Sequence, residues 1–318
     1  MEILRHIENQ SLAPSKPILT MGNFDGIHLG HQALLRAVVD EARGRGGSSV
    51  VLTFEPHPLK VLAPEHAPRL ILTHKDKMRL LQSSGVDLVM IQTFDPTFAS
   101  LEAKEFVQRY LVGKLRVHKI WVGRDFRFGK GRKGRVEDLI HCAGESGFEV
   151  GIVDPVVEGG VRVSSSHIRK LIEQGRVREV FPLLGRCHFV SGRVVRGHQR
   201  GRQLGFPTAN IAAQTEVLPL DGIYATLFQT DQREWSSVTN IGHNPTFGGA
   251  ARTVESYLMD FEGDLYGQSV RLFFVERIRE EKEFATAELL VEQMKQDVLS
   301  AQEILSKMRT GEGAGWGK

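Results

Sequence analysis

The stretch Thr20-Met21-Gly22-Asn23-Phe24-Asp25-Gly26-Ile27-His28-Leu29-Gly30-His31 decides the fold of the first half of this chain. An apolar run, Pro17 to Met21, leads into it as a strand. A glycine turn follows, and an amphipathic helix begins at its end. Strand, turn and helix in that order open a βα unit. The H-x-G-H at 28–31 brings two imidazoles and unpaired backbone N–H groups to a helix start, where partial positive charge suits a polyphosphate. Two histidines three apart are also ordinary surface residues. Their place after a strand, behind Gly22, Asp25 and Gly26, favours a nucleotide site with His28 and His31 at phosphate oxygens.

Strand and helix keep alternating beyond this unit. Strands are expected near 18–21, 49–54, 88–92, 119–122 and 150–153, and helices near 31–43, 76–83, 103–112, 136–146 and 166–173. Thr73 with Asp76 three positions on is a capping-box variant for the second of these helices. Such alternation predicts an α/β domain with a Rossmann-like parallel sheet, whose ligands gather at the carboxyl ends of the strands. From Cys187 the grammar changes. Short β-rich segments near 189–195, 223–228, 237–241, 254–260 and 269–275 are separated by Gly, Asn, Asp and Pro. They read as a small antiparallel β-barrel or sandwich. A terminal amphipathic helix is expected over 286–307, with Leu289, Leu290, Met294, Val298 and Ile304 near one face. The domains are placed at 1–186 and 187–310, with 311–318 a flexible tail.

At 318 residues the chain has room for two domains, and 41% apolar with 25% charged residues is ordinary for a soluble protein. The net charge of +3 sets up no field that demands nucleic acid or an anionic membrane. No apolar run has the length of a membrane span, and the N-terminus lacks a signal-peptide core. Cys142 and Cys187 form no C-x-x-C and no disulfide framework, which fits a reducing cytoplasm. Small-molecule partners and a monomer or weak homo-oligomer are expected.

Three further loops follow strands in the first half. Phe54-Glu55-Pro56-His57-Pro58 holds His57 between two prolines, either as a rigid turn or as a wall of the site. Residues 123–134 combine glycines, five cations, Phe126 and Phe128, suited to a flat ring beside a phosphate or to a solvated basic loop. The G-x-G-x-x-G at Gly129, Gly131 and Gly134 follows a late strand and has cations at its variable positions, so it is set aside as a dinucleotide fingerprint. Ser164, Ser165 and Ser166 precede a helix. One is a cap, and the others, with Arg162 and Arg169, are candidate triphosphate ligands.

The second half has its own centre. Residues 192–210 form a glycine-rich basic loop that ends in Gly205-Phe206-Pro207-Thr208-Ala209-Asn210. Such loops cradle phosphates through backbone N–H groups, and Thr208 and Asn210 offer neutral oxygens to a hard cation such as Mg²⁺. RNA binding is the rival reading, but the loop carries only Phe206 for stacking. No Walker A sequence is present, which excludes a P-loop kinase. In Thr253-Val254-Glu255-Ser256-Tyr257-Leu258, alternation turns Glu255 and Tyr257 away from Val254, Ser256 and Leu258. Beside a phosphate loop, Glu255 is a candidate general base.

Taken in order, G-x-F-D-G-x-H-x-G-H, F-E-P-H-P, D-F-R-F-G, the serine run before Arg169, G-F-P-T-A-N, N-I-G-x-N-P-T-F at 240–247 and D-L-Y-G at 264–267 resemble the bacterial bifunctional riboflavin kinase/FMN adenylyltransferases. The likeness spans roughly residues 10–305. It implies an N-terminal nucleotidyltransferase domain that passes AMP from ATP to FMN, giving FAD and pyrophosphate. It also implies a barrel that phosphorylates riboflavin with ATP, with Mg²⁺ as cofactor. By the resemblance, Glu255, His28 and His31 are catalytic. Gly22, Phe24, Asp25, Gly26, Ser164, Ser165, Ser166, Arg169, Gly192, Gly205, Thr208 and Asn210 bind ATP. His57, Asp125, Phe126 and Phe128 bind flavin, and Thr208 and Asn210 hold the metal. Ser166 stands where the family more often has Thr, and Asp125 where some members carry Asn. Two other classes are open: a single-activity nucleotidyltransferase with a passive barrel, and a nucleic-acid-binding protein. The kinase motifs argue against the first, and the modest charge against the second.

Overall fold

Every residue of β2 (Pro17–Met21) is buried, as a strand covered on both faces must be. β2 lies inside a six-stranded sheet with β1 (Glu2–Arg5), β3 (Ser48–Glu55), β4 (Leu88–Thr93), β5 (Lys119–Gly123) and β6 (Glu149–Val153). The order is β1-β4-β3-β2-β5-β6, and every pairing is parallel. From β2 the chain builds outward first through β3 and β4, then on the other side through β5 and β6. The strand order therefore reverses between β2 and β5, the place where α/β sheets bind ligands. In this computed structural model the described residues are 1–9, 14–197, 201, 204–243 and 252–310. The tail expected at 311–318 lies outside them.

The chain divides into two units, Met1–Arg69 with His74–Val163, and Leu70–Thr73 with Ser164–Lys318. In the first, α1 (Leu29–Arg45) buries Leu34, Leu35, Val38, Val39 and Ala42. It stops at Gly46, whose φ of 60° is the left-handed conformation glycine adopts at little cost. α2 (Pro58–Leu62) and α3 (His74–Ser83) follow β3, and short α4 (Pro96–Ala99) and α5 (Ala103–Phe106) follow β4. The helix expected over 103–112 continues from α5 as a π-helical stretch, Val107–Val112. α6 (Val136–Ser146) precedes β6, and β7 (Val157–Glu158) pairs with β8 (Val161–Arg162) in a small hairpin.

In the second unit, α7 (Ser165–Glu173) and α8 (Val177–Leu184) lead into a closed barrel. Its strands are β9 (His188–Val195), β10 (Thr208–Ala213), β11 (Gly222–Gln229), β12 (Glu234–His243), β13 (Arg252–Leu258) and β14 (Ser269–Arg279). The order around the barrel is β10-β13-β12-β11-β14-β9, antiparallel throughout and closed by β9 against β10. Of the two β architectures expected here, the barrel is the one formed. Val190, Val194, Ile211, Tyr224, Phe228, Ile241, Val254, Leu258, Leu272 and Phe274 fill its core together with Val177 from α8. Thr226 bonds both Ser237 and Thr239 at 2.7 Å, and Thr239 bonds Ser256 at 3.0 Å, so these four fully buried hydroxyls are satisfied among themselves. Cys142 and Cys187 are free and buried. Burial pushes the Cys187 thiol up to about 12.

α9 (Ala287–Thr310) packs on the barrel through Ala301 and Leu305, against Ala225, Leu227 and Val275. Its apolar stripe is not quite the expected one. Leu289 is 56% exposed, because the contact face is centred on Asp297, Ala301 and Leu305. Asp297 is buried there and takes both ends of the Arg279 guanidinium, at 2.8 and 2.7 Å, with Gln293 at 3.1 Å. Truncating one partner of such a pair strands the other charge at a cost of about 3–5 kcal/mol. Asp297→Ala should therefore lower the urea midpoint of the second unit sharply. A loss under about 1 kcal/mol would mean the pair is solvated rather than buried.

Candidate active sites

The loop between β2 and α1 occupies the reversal point of the parallel sheet. Phe24 and Ile27 hold φ of 51° and 39°, and Gly26 holds 83°. Bulky residues with positive φ are costly, and such strain gathers where a loop must present groups in one geometry. Phe24 and Ile27 are fixed by near-complete burial, at 1% and 3% exposure, and the Ile27 carbonyl accepts from Gln32 Nε2 at 2.9 Å. Asp25 is buried in the same loop.

His28 is the N-cap of α1, its Nδ1 accepting from the His31 backbone N–H at 3.3 Å. That assigns the ring proton to Nε2. The two imidazoles stack, with centroids 3.7 Å apart and planes 16° apart, and Phe24 tilts onto His31 at 5.2 Å. A Cβ on Gly30 would lie 3.2 Å from the His28 ring, which explains the glycine inside H-x-G-H. His31 Nδ1 is buried with no hydrogen-bond partner among the described residues. Burial, reinforced by His28, pushes the His31 pKa well below the usual imidazole range. His31 is therefore neutral at neutral pH, with a buried ring nitrogen to offer a ligand.

His57 caps α2, its Nδ1 accepting from Leu59 N–H at 3.2 Å, while its Nε2 lies 3.0 Å from the Asn23 amide. The proline-flanked turn at the end of β3 is thereby tied to the loop after β2. Gly22 donates to Leu52 O at 3.0 Å, holding the loop start against β3. After β5, Asp125 pairs with Arg162 and Arg124 with Asp154 at 2.6 Å. Burial pushes the Asp125 carboxyl up, but the bond and charge of Arg162 outweigh it and hold the pKa below the usual carboxylate range. Phe126 stacks on Phe128 at 5.6 Å, and Phe128 belongs to the apolar core. The glycines at 129, 131 and 134 shape a tight turn: Phe128 bridges Gly134, and a Cβ at Gly129 or Gly134 would meet Ala103 at 2.8 Å. The motif itself holds only a 3-10 turn, Lys130–Arg132, and α6 begins after it at Val136.

The serine run falls in the second unit. Ser164 caps α7, accepting from His167 N–H at 3.3 Å, and Ser166 is exposed. Gly192 lies inside β9, where a Cβ would come within 2.5 Å of Ala212 O, so close strand approach accounts for that glycine. Gly205 has φ 84° and open space around it. Residues 198–200, 202–203 and 244–251 of the two kinase-like motifs are outside the described residues.

On the barrel wall, strand register assembles a second polar centre. Glu255 on β13 is paired with Asn210 on β10 and with Asn240 on β12. Thr208 is two positions from Asn210 and opposite Tyr257. Burial alternates as expected along β13: Val254, Ser256 and Leu258 are inside, with Glu255 and Tyr257 on the other face. Thr208 Oγ1 donates to Glu255 Oε2 at 3.4 Å, and Phe206 meets Tyr257 edge-on at 5.1 Å. A Cβ on Gly197 would lie 2.2 Å from the Asn210 amide, so the loop before β10 passes directly over it. Asn240 Oδ1 is buried with no hydrogen-bond partner among the described residues. Hydroxyl, amide and carboxylate oxygens around an orphaned amide suit a hard cation carried by a nucleotide. No group of three or more His, Cys, Asp or Glu able to hold a metal exists among the described residues.

Two family models cover the chain: one described as FAD synthetase matches residues 10–167, and one described as riboflavin kinase matches residues 184–305. The bifunctional riboflavin kinase/FMN adenylyltransferase of Escherichia coli K12 is 39% identical over 305 residues, covering 95% of this chain and 97% of its own. The namesake from Pseudomonas fluorescens is 38% identical over 304 residues, covering 95% and 97%. The one from Haemophilus influenzae is 34% identical over 303 residues, covering 95% and 98%. A crystal structure named as a macrolide-efflux protein from Streptococcus pneumoniae matches with a TM-score of 0.87 at 32% identity, over 95% of this chain and 99% of that one. That name belongs to that protein. Among the described residues here, no helix is long and apolar enough to cross a membrane.

Proposed function

The chain belongs to the bifunctional riboflavin kinase/FMN adenylyltransferase family and carries out both reactions, and from that premise we propose which residues perform each. The adenylyl-transfer centre is the strained loop 22–28 with His28 and His31, and the kinase centre is the barrel-wall row around Glu255. The catalytic halves are assigned to residues 1–186 and 187–310.

In adenylyl transfer the FMN phosphate is already a nucleophile. Its oxygen attacks the α-phosphorus of ATP, and the bond to pyrophosphate breaks. No strong base is needed; two anions must be held in line while charge develops on the phosphates. The α1 start, His28 Nε2–H and the neutral His31 ring supply donors for that charge, while Gly22, Phe24, Asp25 and Gly26 shape the backbone around it. His57, Asp125 and Phe126 are assigned to the flavin side.

In the kinase reaction the nucleophile is the neutral 5′-hydroxyl of riboflavin. Its oxygen attacks the γ-phosphorus, Glu255 takes its proton, and ADP leaves. Thr208 and Asn210 hold the nucleotide phosphates and the accompanying Mg²⁺. When bound, that ion neutralises phosphate charge. The observation that carries this reading is the cross-strand row Asn210–Glu255–Asn240, which sets a carboxylate between two amides beside a glycine-rich loop. The buried thiols fit a reducing cytoplasm, and a monomer or weak homo-oligomer acting on small molecules is sufficient.

Incubation with ATP, Mg²⁺ and riboflavin, followed by chromatography, should yield FMN and then FAD. Folded protein that consumes no ATP with either riboflavin or FMN would overturn the assignment.

A further inference from the structure

We propose that the Lys77 ammonium binds a phosphate of the reacting FMN–ATP pair in the first unit. This rests on the adenylyl-transfer assignment made above.

Lys77 lies on α3, which is seated by buried Asp76, Met78 and Leu81 on either side of it in sequence. Its side chain is half-buried and reaches the carboxyl end of β3 and the loop after β2. Nζ lies 3.3 Å from Thr53 Oγ1 and 3.5 Å from Asn23 O. Asn23 is the residue whose amide meets His57, and it stands five positions before the N-cap His28. Lys77 thus belongs to the same loop system as both imidazoles.

An ammonium has three donors, and a partly desolvated cation is stable only when paired. The two oxygens at Lys77 are neutral and at the long limit of hydrogen bonding, and it forms no ion pair among the described residues. Burial lowers its pKa below the usual lysine value, against the more distant pull of Glu55 and Asp25. His31, at the far end of the same loop, is held neutral and brings no positive charge to it. Two phosphate-bearing reactants brought together at this loop repel each other, and Lys77 is placed to offset that repulsion.

The test compares Lys77→Met, Lys77→Gln and Lys77→Arg in the full chain, with both activities read on each preparation. Glutamine keeps a hydrogen-bond donor for Asn23 O but carries no charge. If the charge binds phosphate, both neutral variants lose about a hundredfold in FAD formation from FMN. Arginine then restores part of the rate, and FMN formation from riboflavin stays within about twofold. A raised KM for FMN with an unchanged KM for ATP assigns the contact to the FMN phosphate; the reverse assigns it to ATP. If Lys77→Gln makes FAD at the wild-type rate, the lysine only props the loop and the proposal fails. It also fails if the two activities fall together. If the wild-type chain makes no FAD from FMN and ATP, the underlying assignment fails instead.

Discussion

Replacing Glu255 with glutamine should abolish measurable FMN formation while FAD formation from supplied FMN continues. The substitution is isosteric, so the row formed by Asn210, position 255 and Asn240 remains, and the Thr208 hydroxyl keeps an oxygen to bond. What is lost is the carboxylate's charge and with it the ability to accept the proton of the 5′-hydroxyl. General-base catalysis accounts for about 10²–10⁴-fold, so the kinase rate should fall by about three orders of magnitude. Product chromatography with riboflavin or FMN as the starting flavin separates the two steps. Loss of both activities, or of neither, would defeat the idea of independent centres.

His28→Ala and His31→Ala should each reduce adenylyl transfer by about 10²–10³-fold and leave the kinase intact. The two losses have different structures. His28 caps α1, so its truncation also costs helix stability, about 1 kcal/mol. His28→Asn restores a capping oxygen but no imidazole, so it should recover the melting temperature without the rate. His31 makes no cap, but its ring packs on His28 and Phe24, so its alanine variant should lose some stability through packing and still show the loss of rate in protein that is fully folded at the assay temperature. A normal rate of FAD formation in both alanine variants would remove the phosphate-contact role.

The βα grammar of the first half was readable because β2 is buried on both faces and α1 carries a regular apolar face. Residues that meet across long sequence separations were not readable. Asn23 and His57 are 34 apart, and Lys77 and Asn23 are 54 apart, and nothing in local periodicity joins them. Several elements also escaped local reading, β1, β10 and α8 among them. β1 is a mostly exposed edge strand with no alternation to betray it. β10 gains its definition from pairing with β9 and β13 rather than from its own sequence. α8 contains Pro182 and is bracketed by Gly175 and Gly185, so it reads as a linker although Val177 packs into the barrel core. Gly30 was legible as part of a motif, but the reason for it, the His28 ring in contact, appears only in three dimensions.

Because the barrel closes on itself and its lumen is solid with side chains, chemistry on this unit is confined to its outer skin. Asn210, Glu255 and Asn240 face away from that plug, so the sequence is free to adjust reactivity there without renegotiating the fold. Damage at these positions should therefore register in the products made and hardly at all in a melting curve, whereas a change at Phe274 or Tyr224 should do the reverse.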